Sequence, residues 1–165
     1  MTPRLLVDNA VLPALRLLPV EMGSPAAMAM MVAIGLQESE LSARRQKGGG
    51  PARGYWQFEQ GGGVRGVLHH PASKPHIRTV LAALDYDTVD EHVCYAAIEH
   101  NDILAATFAR LLLWTLPQAM PPIEAPQVGW QAYIQAWRPG KPHRDTWDQY
   151  FDEAWGIVID ATLDA

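Results

Sequence analysis

Residues 26 to 36 read AAMAMMVAIGL and follow Ser24-Pro25. A serine can cap free helical N–H groups, and proline suits the first helical position, so a helix begins here. It runs to about Leu41. Ala26, Ala27, Met28, Met30, Met31, Val32 and Ile34 leave almost no polar side. A helix apolar on nearly every side belongs in an interior. The apolar run is well short of the roughly 18 residues needed to cross a membrane. The remaining chain must therefore wrap around this helix as a central buried element.

What surrounds it also reads as helix. Pro75 opens a segment in which Ile77, Val80, Leu81 and Leu84 keep an i, i+3, i+4, i+7 stripe. Thr88 with Glu91 forms a capping-box pattern for the next helix. Asn101 or Asp102 is placed to cap a helix carrying Ile103, Leu104, Phe108, Leu111 and Leu112; whether this is one kinked helix with its predecessor or two is left open. Pro117, Pro121, Pro122 and Pro126 form a stiff linker. Trp130, Tyr133, Ile134 and Trp137 make another stripe, stopped by Pro139-Gly140. Trp147, Tyr150, Phe151, Ala154, Trp155, Val158 and Ile159 make the most regular one. Residues 46 to 66, with two Gly triplets, read as loop. No stretch alternates with period two, and no internal repeat is present. The expectation is a mainly α single domain over residues 1–165, with at most a short β-hairpin around residues 53 to 66.

Composition narrows the function classes. At 165 residues with 48% hydrophobic content, the chain can bury a substantial core. Its net charge of −5 gives no basic footprint for nucleic acid. Cys94 is the only cysteine, which excludes an internal disulfide and a CxxC metal site. It reads as a small buried apolar residue. His69, His70 and His76 lack a metal-ligand spacing, and His92 and His100 read as core or surface residues. No cofactor, metal, nucleic-acid partner or membrane insertion is expected, and the oligomeric state is left open. Residues 1 to 19 are interrupted by Asp8, Asn9 and Pro13 and do not read as an export signal.

The chemistry concentrates where the apolar helix ends. Glu38 lies four residues after Ile34 and seven after Met31, on the line of the buried face. Glu40 sits about 200° further round and faces solvent. A carboxylate at a helix C-terminus meets the negative end of the dipole, and apolar neighbours disfavour its charge. Both effects raise its pKa, as a proton donor to a glycosidic oxygen requires. The plainer alternative is an ordinary exposed glutamate at a helix end. A Gly- and Arg-rich loop follows, then Gly54-Tyr55-Trp56-Gln57.

Gln37-Glu38-Ser39 followed by Gly54-Tyr55-Trp56-Gln57 resembles the lysozyme-like superfamily of soluble lytic transglycosylases and goose-type lysozymes. The family ends a helix in Glu-Ser and continues to a Gly-Leu-Met-Gln segment. The likeness covers residues 24 to 60. Ala132-Tyr133-Ile134-Gln135-Ala136 is similar to the family's Ala-Tyr-Asn-Ala-Gly but lacks its Asn and Gly. The resemblance implies a lysozyme-like helical fold and cleavage of peptidoglycan glycan strands between N-acetylmuramic acid and N-acetylglucosamine. Glu38 would be the catalytic acid. Ser39 would steady the substrate or Glu38, and Gln57 would line the site with Tyr55 and Trp56 contacting sugars. Tyr133 would orient Glu38. Glu59, just beyond Gln57, is the candidate base of a water-using hydrolase; without it, a lone Glu38 fits transglycosylation to a 1,6-anhydro product. Tyr-Trp in place of Leu-Met is a departure that bears on which sugars are accepted.

The chain looks more like a compact phage or prophage cell-wall enzyme than a large periplasmic one. It would be made in the cytoplasm and reach the wall through phage-type release or as a virion component. Arg44, Arg45, Lys47, Arg53 and Arg65 are expected around the cleft, either as positive charge that attracts an acidic polymer or as a solvated loop that balances nearby acids. Trp137 with Arg138-Pro139-Gly140-Lys141 is a candidate cleft wall. The rival reading is a catalytically silent structural protein of a phage particle.

Overall fold

The apolar helix occupies the centre of a computed structural model that describes residues 1–163. Pro3–Leu6 (α1) passes through a π-helical turn, Val7–Val11, into Leu12–Arg16 (α2). Pro13 therefore sits inside a helical run; the widened turn before it accommodates a residue with no N–H to donate. Pro25–Ser39 (α3) follows, and its residues from Ala27 to Leu36 are all buried. Ser24 caps it, its Oγ accepting from Ala27 N–H at 3.1 Å. The helix ends where Glu40 and Leu41 take left-handed backbone angles (φ 50° and 53°).

Residues 60 to 69 are more helical than the sequence reading holds. A π-helical turn, Gln60–Val64, leads into Arg65–His69 (α4). Lys74–Ala83 (α5), Glu91–Ile98 (α6) and Asp102–Trp114 (α7) come next. The segments on either side of Glu99 are two helices, because the Asn101 side chain accepts from Leu104 N–H and starts α7 afresh. The Thr88–Glu91 capping box does not form. Asp90 is the cap instead, accepting from His92 and Val93 N–H, while Thr88 Oγ1 accepts from Asp90 N–H. Pro126–Trp137 (α8) and Arg144–Leu163 (α9) complete the order. The expected hairpin reduces to isolated bridges, Arg45 with Arg53 and Arg53 with Phe58, and no strand forms among the described residues.

One apolar cluster runs through the molecule, from Leu6 to Val158. The chain is a mainly α single domain. α3 packs most extensively against α9, and α7 covers the N-terminal helical run. Cys94 is buried, and burial pushes its thiol up to about 11. Such a thiol is a packing residue rather than a nucleophile. Among the described residues, no helix is long and apolar enough to cross a membrane.

Candidate active site

Glu38 lies in the last turn of α3, at the edge of an open cleft of about 1170 Å³. The residue is only partly covered, but its carboxyl is largely desolvated, and this pushes its pKa up from 4.5 to about 7. The negative charge of Glu59 pushes in the same direction. A hydrogen bond from Tyr133 works against both: its hydroxyl donates to Glu38 Oε1 at 2.6 Å, favouring the carboxylate. The net result is an acid near half-protonation at neutral pH.

Tyr133 arrives from α8, 95 residues away in sequence. It is buried and stacked on Trp147 of α9, with ring centroids 5.3 Å apart and planes 10° from parallel. Trp147 is itself fixed by donating its indole N–H to the Pro126 carbonyl at 2.8 Å. Burial and the neighbouring Glu38 charge push the phenol pKa up, so Tyr133 stays a donor. Replacing Tyr133 by Phe keeps the ring and removes the donor. The Tyr133→Phe substitution is expected to raise the Glu38 pKa further, moving the alkaline fall of any acid-dependent activity to higher pH; a pH–rate profile checks this.

The facing segment is a tight turn. Arg53 and Phe58 exchange two backbone hydrogen bonds, at 2.9 and 2.8 Å. Gly54 sits at φ 72°, where a Cβ would lie 3.0 Å from Ile98 Cγ2 and 3.2 Å from the Ile98 carbonyl oxygen. Glycine is thus required by both backbone angle and space. Gln57 also holds a positive φ of 50° and donates through Nε2 to the Gly54 carbonyl at 2.9 Å. Gln57 and the exposed Glu59 line the cleft along with Glu38, Ser39 and Tyr133.

Tyr55 and Trp56 do not. Trp56 is fully buried and donates its indole N–H to the Met31 carbonyl of α3 at 2.8 Å. Tyr55 is 4% exposed, with the Arg44 guanidinium over its ring. The expected sugar contacts are core residues that hold the turn against α3. Ser39 also works inward: its Oγ lies 2.7 Å from the Tyr55 carbonyl and 3.1 Å from that of Gly35, and it accepts from Leu41 N–H at 3.2 Å. It ties the helix end to the facing turn.

The aromatic wall of the cleft comes from Trp137, beside Arg138, Pro139, Gly140 and Lys141. Trp137 is held by donating its indole N–H to the Trp56 carbonyl at 2.9 Å. Cleft residues without any local sequence signal include Thr115, Leu116 and His143, and Gln135 beside Tyr133 also lines the cleft. Gln37 is clamped at the start of α9, donating to the carbonyl of His143 just before the helix at 2.9 Å and accepting from Thr146 Oγ1 at 3.1 Å. This clamp fixes the residue next to the acid.

The expected basic cluster is largely neutralised. Arg44 pairs with Asp102 at 2.6 Å, Arg45 with Glu99 at 2.6 Å, Arg53 with Glu99 at 3.0 Å and Arg65 with Glu91 at 3.5 Å. These acids come from the far side of the sequence, so no local pattern shows the pairing. Of the five cations only Arg45 and Lys47 line the cleft. His69 approaches Glu91 at 2.8 Å, and no metal-holding group of His, Cys, Asp or Glu occurs among the described residues.

No family model, no curated protein and no solved structure matches the chain. A half-protonated carboxylic acid, a tyrosine donor fixed to it, a polar glutamine, a second carboxylate and a tryptophan wall share one open cleft. Chemically this can protonate a leaving group on an extended polar substrate while aromatic surface packs on its rings.

Proposed function

We propose that this protein is a peptidoglycan-degrading glycosidase of lysozyme-like kind, a muramidase or lytic transglycosylase. It would cleave the β-1,4 bond between N-acetylmuramic acid and N-acetylglucosamine in the glycan strands of the wall. The observation that carries this reading is the Glu38 carboxyl, with a pKa of about 7, held by Tyr133 beside a cleft of about 1170 Å³. An acid tuned to the working pH is an efficient proton donor to a departing oxygen. In this role Glu38 protonates the glycosidic oxygen, and its pKa fits neutral conditions. Trp137 offers a face for a sugar ring. We assign the protein to a phage-type context, reaching the wall by release from the cell or as part of a virion.

Two routes complete the reaction. In the hydrolytic route Glu59 activates water on the opposite face of the sugar. In the transglycosylase route the muramic C6 hydroxyl attacks, and the Glu38 carboxylate takes back its proton. Glu59→Gln separates them. It removes a negative neighbour of Glu38, so the pH at which activity falls is expected to move down in either case. A large loss of turnover at every pH marks Glu59 as a base; unchanged turnover at low pH marks transglycosylation. Mass spectrometry of digested peptidoglycan checks the assignment directly, through reducing muropeptides for hydrolysis and anhydro-muropeptides for transglycosylation. No products from several wall types would overturn the enzymatic reading in favour of a silent structural protein.

A further inference from the structure

A second pocket, of about 580 Å³, lies between the start of α3 and the end of α7. Among the described residues it meets the main cleft only at Leu116, which lines both. Arg110 lines it and is 3% exposed. Its Nε donates to the Met22 carbonyl at 2.7 Å, and its guanidinium lies over the Trp114 ring at 5.1 Å. Its Nη1 is buried without a hydrogen-bond partner, and no carboxylate pairs with it among the described residues. A desolvated guanidinium without a counter-charge is costly, and burial pulls its pKa down to about 10.

The first turn of α3 meets the same pocket through Ser24 and Ala26. Pro25 has no N–H and Ser24 already caps Ala27, so Ala26 carries an N–H with no intrahelical acceptor. The positive end of a 15-residue helix and a buried, incompletely bonded guanidinium thus share one pocket. The rest of the lining is mainly apolar, with Trp114 and Met120 its largest side chains, and the exposed Glu21 carboxylate stands at the same site.

We propose that this pocket binds a small organic monocarboxylate: a single carboxylate on a short apolar body. The planar guanidinium fork matches a carboxylate, and the helix start adds positive potential. Trp114 and Met120 accept the apolar body. Glu21 discriminates against a second negative charge, so inorganic phosphate is disfavoured.

The test is a titration of the ¹⁵N-labelled full chain, followed by amide chemical shifts at constant ionic strength. Butyrate is expected to give a saturable shift at Ala26 and around Trp114. Butyramide, of the same shape without the charge, and inorganic phosphate are expected to give none. Glu21→Gln should tighten butyrate binding, and Arg110→Lys should weaken it about tenfold through loss of the fork. Absence of a saturable butyrate shift in the wild type, or an equal response to butyramide, overturns the proposal. So does unchanged butyrate affinity in folded Arg110→Lys. If Arg110→Lys does not fold, the wild-type and Glu21→Gln titrations still decide.

Discussion

Glu38→Gln is expected to lower wall cleavage by about 10²- to 10⁴-fold, the usual contribution of a positioned general acid. Glutamine keeps the shape and can still accept from Tyr133, so the circular dichroism spectrum should not change. Release of soluble muropeptides measures the loss. If Glu38→Gln cleaves at the wild-type rate and Glu40→Gln does not, the acid has been misassigned.

The same substitution has a second readout, in stability. The folded protein holds the Glu38 proton up to about pH 7, whereas a free glutamate loses it near 4.5. Below that range both states are protonated and the group contributes nothing. Between the two values the folded state binds the extra proton, so stability falls as pH rises. Above neutrality the full cost, on the order of 3 kcal/mol, is present. Glu38→Gln should therefore unfold at higher denaturant concentration than wild type at pH 8 and at a similar one at pH 4. Catalysis and stability would move in opposite directions, which a merely structural carboxylate does not produce.

Trp56→Ala is expected to cost about 3–5 kcal/mol, the range for emptying a large buried aromatic site. Trp56 is fully buried, bonded to the Met31 carbonyl, and supports the Trp137 indole through its own carbonyl. Urea unfolding gives the magnitude. A sugar-contacting Trp56 would instead leave stability nearly unchanged and raise only KM.

Residue order carries part of this architecture. The central helix and the inward line of Met31, Ile34 and Glu38 follow from local periodicity, because an apolar helix has only one place to go. The roles of Tyr55 and Trp56 do not follow, because an aromatic side chain serves a core and a sugar site equally well. Which it serves depends on whether α3 stands over it, and that is a tertiary fact. The arginine cluster leaves its choice open for the same reason: Glu91, Glu99 and Asp102 lie far along the chain, and only the fold brings them to the cations and favours charge balance over a free basic patch. Tyr133 stands in a segment that resembles a family motif, whereas its stacking on Trp147 has no local signature. Asp90 displaced Thr88 as a cap because two adjacent N–H groups reach its carboxylate.

The acid and the phenol bonded to it lie 95 residues apart, and the tryptophan under that phenol comes later still. On a ribosome, α3 is made long before α8 and α9 leave the exit tunnel. Until they dock, Glu38 has no tyrosine to hold it and the clamp on Gln37 is missing. A nascent or truncated chain that has not reached α9 would carry the acid but not its assembled surroundings. The surroundings of Glu38 would thus assemble nearly all at once, when α9 closes against α3.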